Sequence, residues 1–251
     1  MNTYVLIHGS WHGAWCWHKI IPLLEQAGHR AIAIDLPGHG RDWTAPGEVT
    51  MQSYVDSVVA VLDAQPEPVI LVGHSRGGIV ISQVAEARPE KVKTLVYLAA
   101  FLIPNGEPMI QTALSDTESL IVANLNLNEA EGWHMLKAEA FRDALYADCS
   151  AEDVALAHAL LTPEPNAPVG TPLQLSEANF GRIPRVYIET LQDQGVTPGL
   201  QKQMYTATPC QQMLSLNSSH SPFLSAPQSL VEHLLTAAQV SEAVTPVRVG
   251  L

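Results

Sequence analysis

Six short apolar runs punctuate the chain, at residues 3–7, 31–34, 68–72, 94–98, 185–188 and 212–216, and most are separated by stretches with a helical repeat. Runs of this length and character suit strands covered on both faces. Between them, residues 15–27 repeat as a helix stopped by Gly28. A stripe of Tyr54, Val55, Val58, Val59 and Leu62 marks a second helix begun near Thr50, and residues 79–87 mark a third that ends before Pro89. This alternation predicts an α/β fold, a mostly parallel, doubly wound sheet of about six strands with helices on both faces.

The alternation breaks between about Asn105 and Arg182, where helical patterns continue without a convincing strand. Residues 129–146 read as a helix weakened in its first turn by Gly132, and Ser150 with Asp153 forms a capping-box-like start for a helix through Leu161. The stretch 162–168, Thr-Pro-Glu-Pro-Asn-Ala-Pro, is too proline-rich for a helix or a central strand. The expected organisation is a core of residues 1–104 and 183–251, with a helical lid, 105–182, inserted over the carboxyl edge of the sheet.

Candidate chemistry begins where the third run meets its helix. Gly73-His74-Ser75-Arg76-Gly77 fits G-x-S-x-G, whose glycines make room for a strained strand-to-helix turn with the serine at its tip. A serine hydroxyl needs a base, and there are ten histidines. His18 and His233 lie in helical patterns, His29 beside a helix-ending glycine and His39 in a turn; His134 and His158 belong to the lid, where either could meet a ligand. His220 follows the last run in Asn217-Ser-Ser-His-Ser-Pro222, a loop at the carboxyl edge where doubly wound sheets gather their ligands. It is the expected general base. The acid that orients it is Glu189 or Asp193; Asp193, further into its loop, is favoured, and the order Ser75, Asp193, His220 is that described for this architecture. The expected oxyanion donors are the backbone N–H groups of Ser10, in His8-Gly9-Ser10-Trp11-His12-Gly13 after the first run, and of Arg76. Pocket candidates are Trp11, His74, Phe101, Leu102, Trp133 and Phe223, which favour an apolar or aromatic substrate.

Composition narrows the class further. With 251 residues, 47% hydrophobic and 15% charged, the chain has globular rather than disordered composition. A net charge of −12 with no Lys/Arg cluster argues against nucleic acid and anionic membrane surfaces as partners. No stretch has the length of apolar residues needed to span a bilayer, and a strand begins at once without a charged leader, so a cytoplasmic location is expected. Cys16, Cys149 and Cys210, odd in number and widely spaced, suggest neither a disulfide framework nor a metal site. A homodimer is compatible with the sequence but is not indicated by it.

With these residues in hand, the chain resembles the α/β-hydrolase superfamily and, within it, the methylesterase and hydroxynitrile lyase branch. The resemblance is carried by H-G-x-x-H-G-x-W, present as His8-Gly9-Ser10-Trp11-His12-Gly13-Ala14-Trp15, by Asp35-Leu36-Pro37-Gly38-His39-Gly40, by Gly73-His-Ser-Arg-Gly-Gly78, and by the Asp193 and His220 loops. Bacterial pyrethroid-type carboxylesterases share this plan. The resemblance implies an α/β-hydrolase fold, no metal or organic cofactor, and a serine carboxylesterase acting on small-to-medium apolar or aromatic esters through an acyl-enzyme. Lyase members typically carry a threonine where Gly9 stands and a lysine directly after the catalytic histidine, where this chain has Ser221, so ester hydrolysis is favoured over cyanohydrin cleavage. A small-molecule receptor with a nearly silent triad is the non-enzyme alternative. Arg76 departs from the leucine or methionine common in this branch, and its guanidinium either alters pocket charge or pairs with an acid.

Overall fold

The computed structural model describes residues 1–244; residues 245–251, the end of the expected core segment, lie outside the described residues. In chain order come β1 (Thr3–Ile7), α1 (Ile20–Gln26), β2 (Arg30–Ile34), α2 (Met51–Asp63), β3 (Val69–His74), α3 (Gly77–Ala87) and β4 (Val92–Leu98). An insertion follows, with α4 (Met109–Ser115), α5 (Leu120–Ala123), β5 (Leu125–Asn128), β6 (Trp133–Leu136), α6 (Phe141–Leu145), α7 (Ala151–Leu160), β7 (Glu164–Pro165) and α8 (Asn166–Gly170). The chain then closes with β8 (Arg185–Thr190), α9 (Pro198–Ala207), β9 (Gln212–Leu216), α10 (Pro222–Ser225) and α11 (Pro227–Val244).

The main sheet has the order β2-β1-β3-β4-β8-β9 and is parallel throughout. Successive side chains of a strand point to opposite faces, so each strand supplies two cores. Val5, Ile7, Leu71, Leu95 and Tyr97 pack with Tyr54, Val58, Ile79 and Val84 of α2 and α3. Tyr4, Leu6, Ile70, Val72, Val96 and Leu98 pack instead with Ile20 and Leu24 of α1 and with Leu230 and Leu234 of α11. From β1 the chain winds outward to β2, then returns to place β3 on the other side of β1. The carboxyl ends of β1 and β3 therefore adjoin where the winding reverses, the place where such sheets open a crevice.

Three local expectations are corrected. The helix over 15–27 is two pieces, a single 3-10 turn at Ala14–Trp17 and then α1. A continuous helix would set the Pro22 ring against the carbonyl of His18; starting at Ile20 puts the proline in the first turn, where no N–H is needed. The helix over 129–146 forms only at its C-terminal end. Gly132 has φ +73° and turns the chain between β5 and β6, so the glycine that weakened a helix is a hairpin turn. The helix there begins only at Phe141. The proline-rich stretch is ordered too: β7 pairs with β6 at the edge of a three-stranded antiparallel sheet, where the missing N–H of Pro165 costs nothing, and α8 follows. The insertion is thus mixed rather than wholly helical. The Ser150 start holds, with its side chain accepting from Asp153 N–H.

Candidate active site

β3 runs directly into Ser75, which has φ +51°. A left-handed, non-glycine residue is strained, and it persists where its surroundings fix it. Here Ser75 N–H donates to Leu98 O at 3.1 Å and Ser75 O accepts from Gly78 and Phe101 N–H, both at 3.0 Å. The flanking glycines are required by close approach: a Cβ on Gly73 would lie 2.7 Å from Gly77 O, and one on Gly78 would overlap the carbonyl of Phe101. α3 starts two residues after the serine, so the positive end of its dipole lies beneath the turn. The other two non-glycine residues of positive φ among the described residues, Trp11 (65°) and Ala99 (44°), follow β1 and β4 at the same edge.

His220 sits in the loop after β9 and Asp193 in the loop after β8. Their side chains meet, Nδ1 to Oδ2, at 2.8 Å, both buried. Asp193 is built into its loop by the N–H groups of Gly195 (2.8 Å) and Val196 (2.9 Å) on Oδ1, and by Thr190 Oγ1 (2.8 Å) on Oδ2. Glu189, the other acid considered, faces away and accepts from Ser215 Oγ at 2.7 Å and Tyr205 Oη at 3.1 Å. The His74 ring lies 4.6 Å from the His220 ring, and its Nε2–H donates to His220 O at 2.9 Å, so the residue before the serine holds the backbone of the histidine loop. Among the described residues, neither Ser75 Oγ nor His220 Nε2 takes part in a hydrogen bond within the chain.

The loop after β1 is fixed at nearly every peptide. His8 Nε2 accepts from Leu36 N–H at 3.2 Å, which leaves the proton on Nδ1 to donate to Gly9 O at 2.8 Å. His12 Nδ1–H donates to Ser10 O at 2.7 Å, and its Nε2 accepts from Tyr146 Oη at 2.7 Å. Trp11 N–H donates to Glu164 Oε2 at 3.0 Å, and Trp11 O accepts from Thr162 N–H at 2.9 Å. Among the described residues no acceptor takes a hydrogen bond from the N–H of Ser10 or of Arg76.

Beside Ser75 and Ser10 opens a narrow cavity of about 50 Å³ with walls that include Trp11, Phe101, Met109, Ile121, Val169, Val196 and His134. It shares Ile110, Leu114, Val122, Leu125, His134 and Val169 with an outer groove of about 470 Å³. Of the expected pocket residues, Trp11 and Phe101 line the cavity. His74, Leu102 and Phe223 do not: each is fully buried, His74 under His220, Leu102 in the core and Phe223 against the rings of Trp17 and His74. Trp133 lines a separate surface hollow with Gly38, Trp43 and Pro163. Those four assignments rested on aromatic or apolar character near the edge, which does not tell which face a side chain takes. The aliphatic walls from the insertion went unnoticed because α4, α5 and β5 have no signal of their own beyond ordinary amphipathicity.

Arg76 is fully buried, and its Nε lies 2.9 Å from Glu164 Oε1, an ion pair not aligned as an N–H hydrogen bond. Its Cζ stands 4.7 Å from the Tyr54 ring centroid. Of the two outcomes the sequence left open, the guanidinium pairs with an acid. Glu164 also accepts from His39 Nε2 at 3.0 Å. Burial alone would raise its pKa, yet the Arg76 charge and then His39 outweigh it, and the carboxyl is held well below its usual range. The network escaped the sequence reading because Glu164 lies between two prolines and His39 looked like an ordinary turn residue; the one signal was a charged side chain next to a nucleophile, which needs a counter-ion if buried. Burial pushes three histidines down: His8 and His74 well below the usual imidazole value, and His12 to about 3.

A model described as the alpha/beta hydrolase family matches residues 4–233. The chain belongs to that family. Putative methylesterase 11, chloroplastic, of Arabidopsis thaliana is 36% identical over 255 residues; the alignment covers 96% of this chain, which spans 65% of that relative's length. Methylesterase 18 of the same plant is 34% identical, with 94% of this chain and 97% of the relative covered. Among solved structures, a pyrethroid hydrolase from Sphingobium faniae superimposes with a TM-score of 0.87 at 29% identity, covering 96% of this chain and 99% of that chain. Among the described residues, no helix is long and apolar enough to cross a membrane.

Proposed function

We propose that this hydrolase is a serine carboxylesterase in which Ser75 is the nucleophile, His220 the general base and Asp193 its orienting anion. The observation that carries the reading is the buried 2.8 Å contact of His220 with Asp193, brought from two loops to the edge where Ser75 is held in a strained turn. In the first half-reaction the Ser75 proton passes to His220 Nε2 as Oγ bonds to the ester carbonyl. The negative charge that develops on the carbonyl oxygen is met by the N–H groups of Ser10 and Arg76, and Asp193 stabilises the imidazolium. That proton then leaves with the alcohol as the C–O bond breaks. Water, deprotonated by His220, attacks the acyl-enzyme, and the carboxylic acid departs as Ser75 regains its proton.

The cavity supports an apolar substrate. About 50 Å³ beside Ser75 accepts only a small group, while the groove of about 470 Å³ has room for a ring or a chain, so one part of the ester is small and the other is larger and apolar. The names of the methylesterase relatives agree with that division. A cyanohydrin lyase would need a cation after the general base, where Ser221 is fully buried, and a side chain at Gly9, where a Cβ would lie 2.7 Å from His74 Nδ1 and 2.8 Å from Ser75 Cβ. Methyl, aryl and long-chain-alcohol esters of one apolar acid, assayed with wild type and Ser75→Ala, test the proposal. Methyl and activated aryl esters are expected to turn over, and the variant is expected to stay folded with at least ~10³-fold less activity. Retention of most of the rate by Ser75→Ala refutes it.

A further inference from the structure

The peptide that joins Gly9 to Ser10 has its two ends in different company. Its N–H is the proposed oxyanion donor, and its carbonyl accepts two hydrogen bonds, from His8 Nδ1 at 2.8 Å and from Arg76 Nη2 at 3.2 Å. The C=O and N–H of a peptide are one conjugated unit. A charge-assisted bond at the oxygen therefore draws electron density away from the nitrogen and makes its N–H a stronger donor, the more so in a water-poor interior. Gly9 also packs directly on the nucleophile turn, so the grip on its carbonyl sets where the Ser10 N–H stands relative to Ser75.

A buried ion pair contributes little net stability compared with well-packed apolar side chains. The Arg76–Glu164 pair therefore gives no strong reason for a guanidinium at this position, whereas its Nη2 reaches the donor peptide. We infer that the Arg76 side chain is a positioning residue for the oxyanion: it orients and polarises the Gly9–Ser10 peptide, while Glu164 from the insertion serves as its counter-ion in the resting enzyme. Arg76 thus serves both donors, one through its own N–H and the other through the carbonyl of Gly9. The inference rests on the esterase reading above.

The two charges make opposite contributions to a developing oxyanion, and the test uses that sign. Arg76→Met, Glu164→Gln and the double variant Arg76→Met/Glu164→Gln are compared with wild type for kcat and KM on an activated aryl ester. Affinity for an aryl boronic acid, which forms a tetrahedral adduct with the serine, is measured alongside. Losing a whole oxyanion donor costs about 10²–10³ in kcat, and weakening one costs a fraction of that, roughly tenfold. The folded double variant is expected to lose about tenfold in kcat and in boronate affinity with KM little changed. Glu164→Gln, which keeps Arg76 and removes the opposing charge, is expected to bind boronate as tightly as wild type or more tightly. A double variant with wild-type kcat overturns the inference, and so does boronate affinity that falls together in Arg76→Met and Glu164→Gln, the mark of a pair that only braces the fold. Ser75→Ala separates the two levels. If it is inactive while the Arg76 variants behave as wild type, only this inference falls; if it remains active, the esterase reading falls and this inference with it.

Discussion

The sheet and the insertion are held by different forces. Strands β1, β3 and β4 are buried almost without remainder and are covered by apolar helix stripes. The insertion has an apolar side too, but it meets the loops of the carboxyl edge through three carboxylates. Asp116 accepts from Thr197 N–H and Oγ1, both at 2.9 Å, in the acid loop. Asp148 accepts from the N–H of Ser219, at 2.9 Å, and from its hydroxyl, beside His220. Glu164 binds the loop after β1 and the nucleophile turn. One part of the molecule is stabilised by area removed from water, and the other is placed by a few directed contacts, one set for each loop that carries proposed chemistry.

Acid should separate the two regions most strongly. His8, His12 and His74, all at the carboxyl edge of the sheet, have folded pKa values below the ordinary 6.5, so the unfolded chain takes up protons that the folded chain refuses as pH falls below about 6.5. Each such group removes up to about 1.4 kcal/mol per pH unit, down to its folded pKa. Glu164 runs the other way: its contribution is present above the ordinary glutamate value and is lost only as pH falls through its lowered folded value. Urea melts at pH 7.5, 6.0 and 5.0 are expected to show stability falling below about pH 6.5, with the larger drop between pH 6.0 and 5.0. Hydrogen exchange is expected to quicken at β1 and β3 before the contacts of Glu164 loosen; stability constant down to pH 5 would contradict the burial of neutral imidazoles.

Packing comes next. Gly78→Ala drives a methyl into the carbonyl of Phe101 and is expected to cost about 3 kcal/mol or more, read as a lower urea midpoint with an unchanged slope. A contact in the insertion is worth less. Asp116→Ala leaves the buried Thr197 N–H without its acceptor and is expected to cost about 2 kcal/mol, with faster exchange in α4 and a raised KM. If Asp116→Ala proved as damaging as Gly78→Ala, the insertion would be part of the core rather than fastened to it. Smallest is Thr50→Ala, which removes the capping box of α2 far from the cavity; about 1 kcal/mol is expected, with turnover unchanged.

The same contrast explains what could be read from the sequence. Each parallel strand is a dense apolar run, and the helices between carry full stripes, so periodicity alone located all six strands of the main sheet. The shared placement of Ser75, His220 and Asp193 was legible because each lies in a turn or loop after a strand, and the topology brings such segments to one edge. In the insertion, β5 reads Leu-Asn-Leu-Asn, with Leu125 only partly buried and Leu127 exposed, while β6 and β7 are four and two residues long. Segments so short have no period to detect, and the alanines and glutamates of residues 129–146 favoured a helix on propensity. The cavity wall was missed for a related reason, since it is made by the faces these short elements turn inward. Glu164 shows the limit most plainly: its partners stand 88 and 125 positions away in Arg76 and His39, and nothing local announces them.

The central claim is that His220 activates Ser75, and covalent labelling tests it directly. A fluorophosphonate probe is incubated with wild type, Ser75→Ala and His220→Ala, and the adduct is counted by intact mass and located by peptide mapping. Wild type should take up one equivalent on the peptide holding Ser75, with Ser75→Ala unlabelled and His220→Ala slowed at least ~10³-fold. Label on any other residue, or wild-type labelling of His220→Ala, would contradict the account.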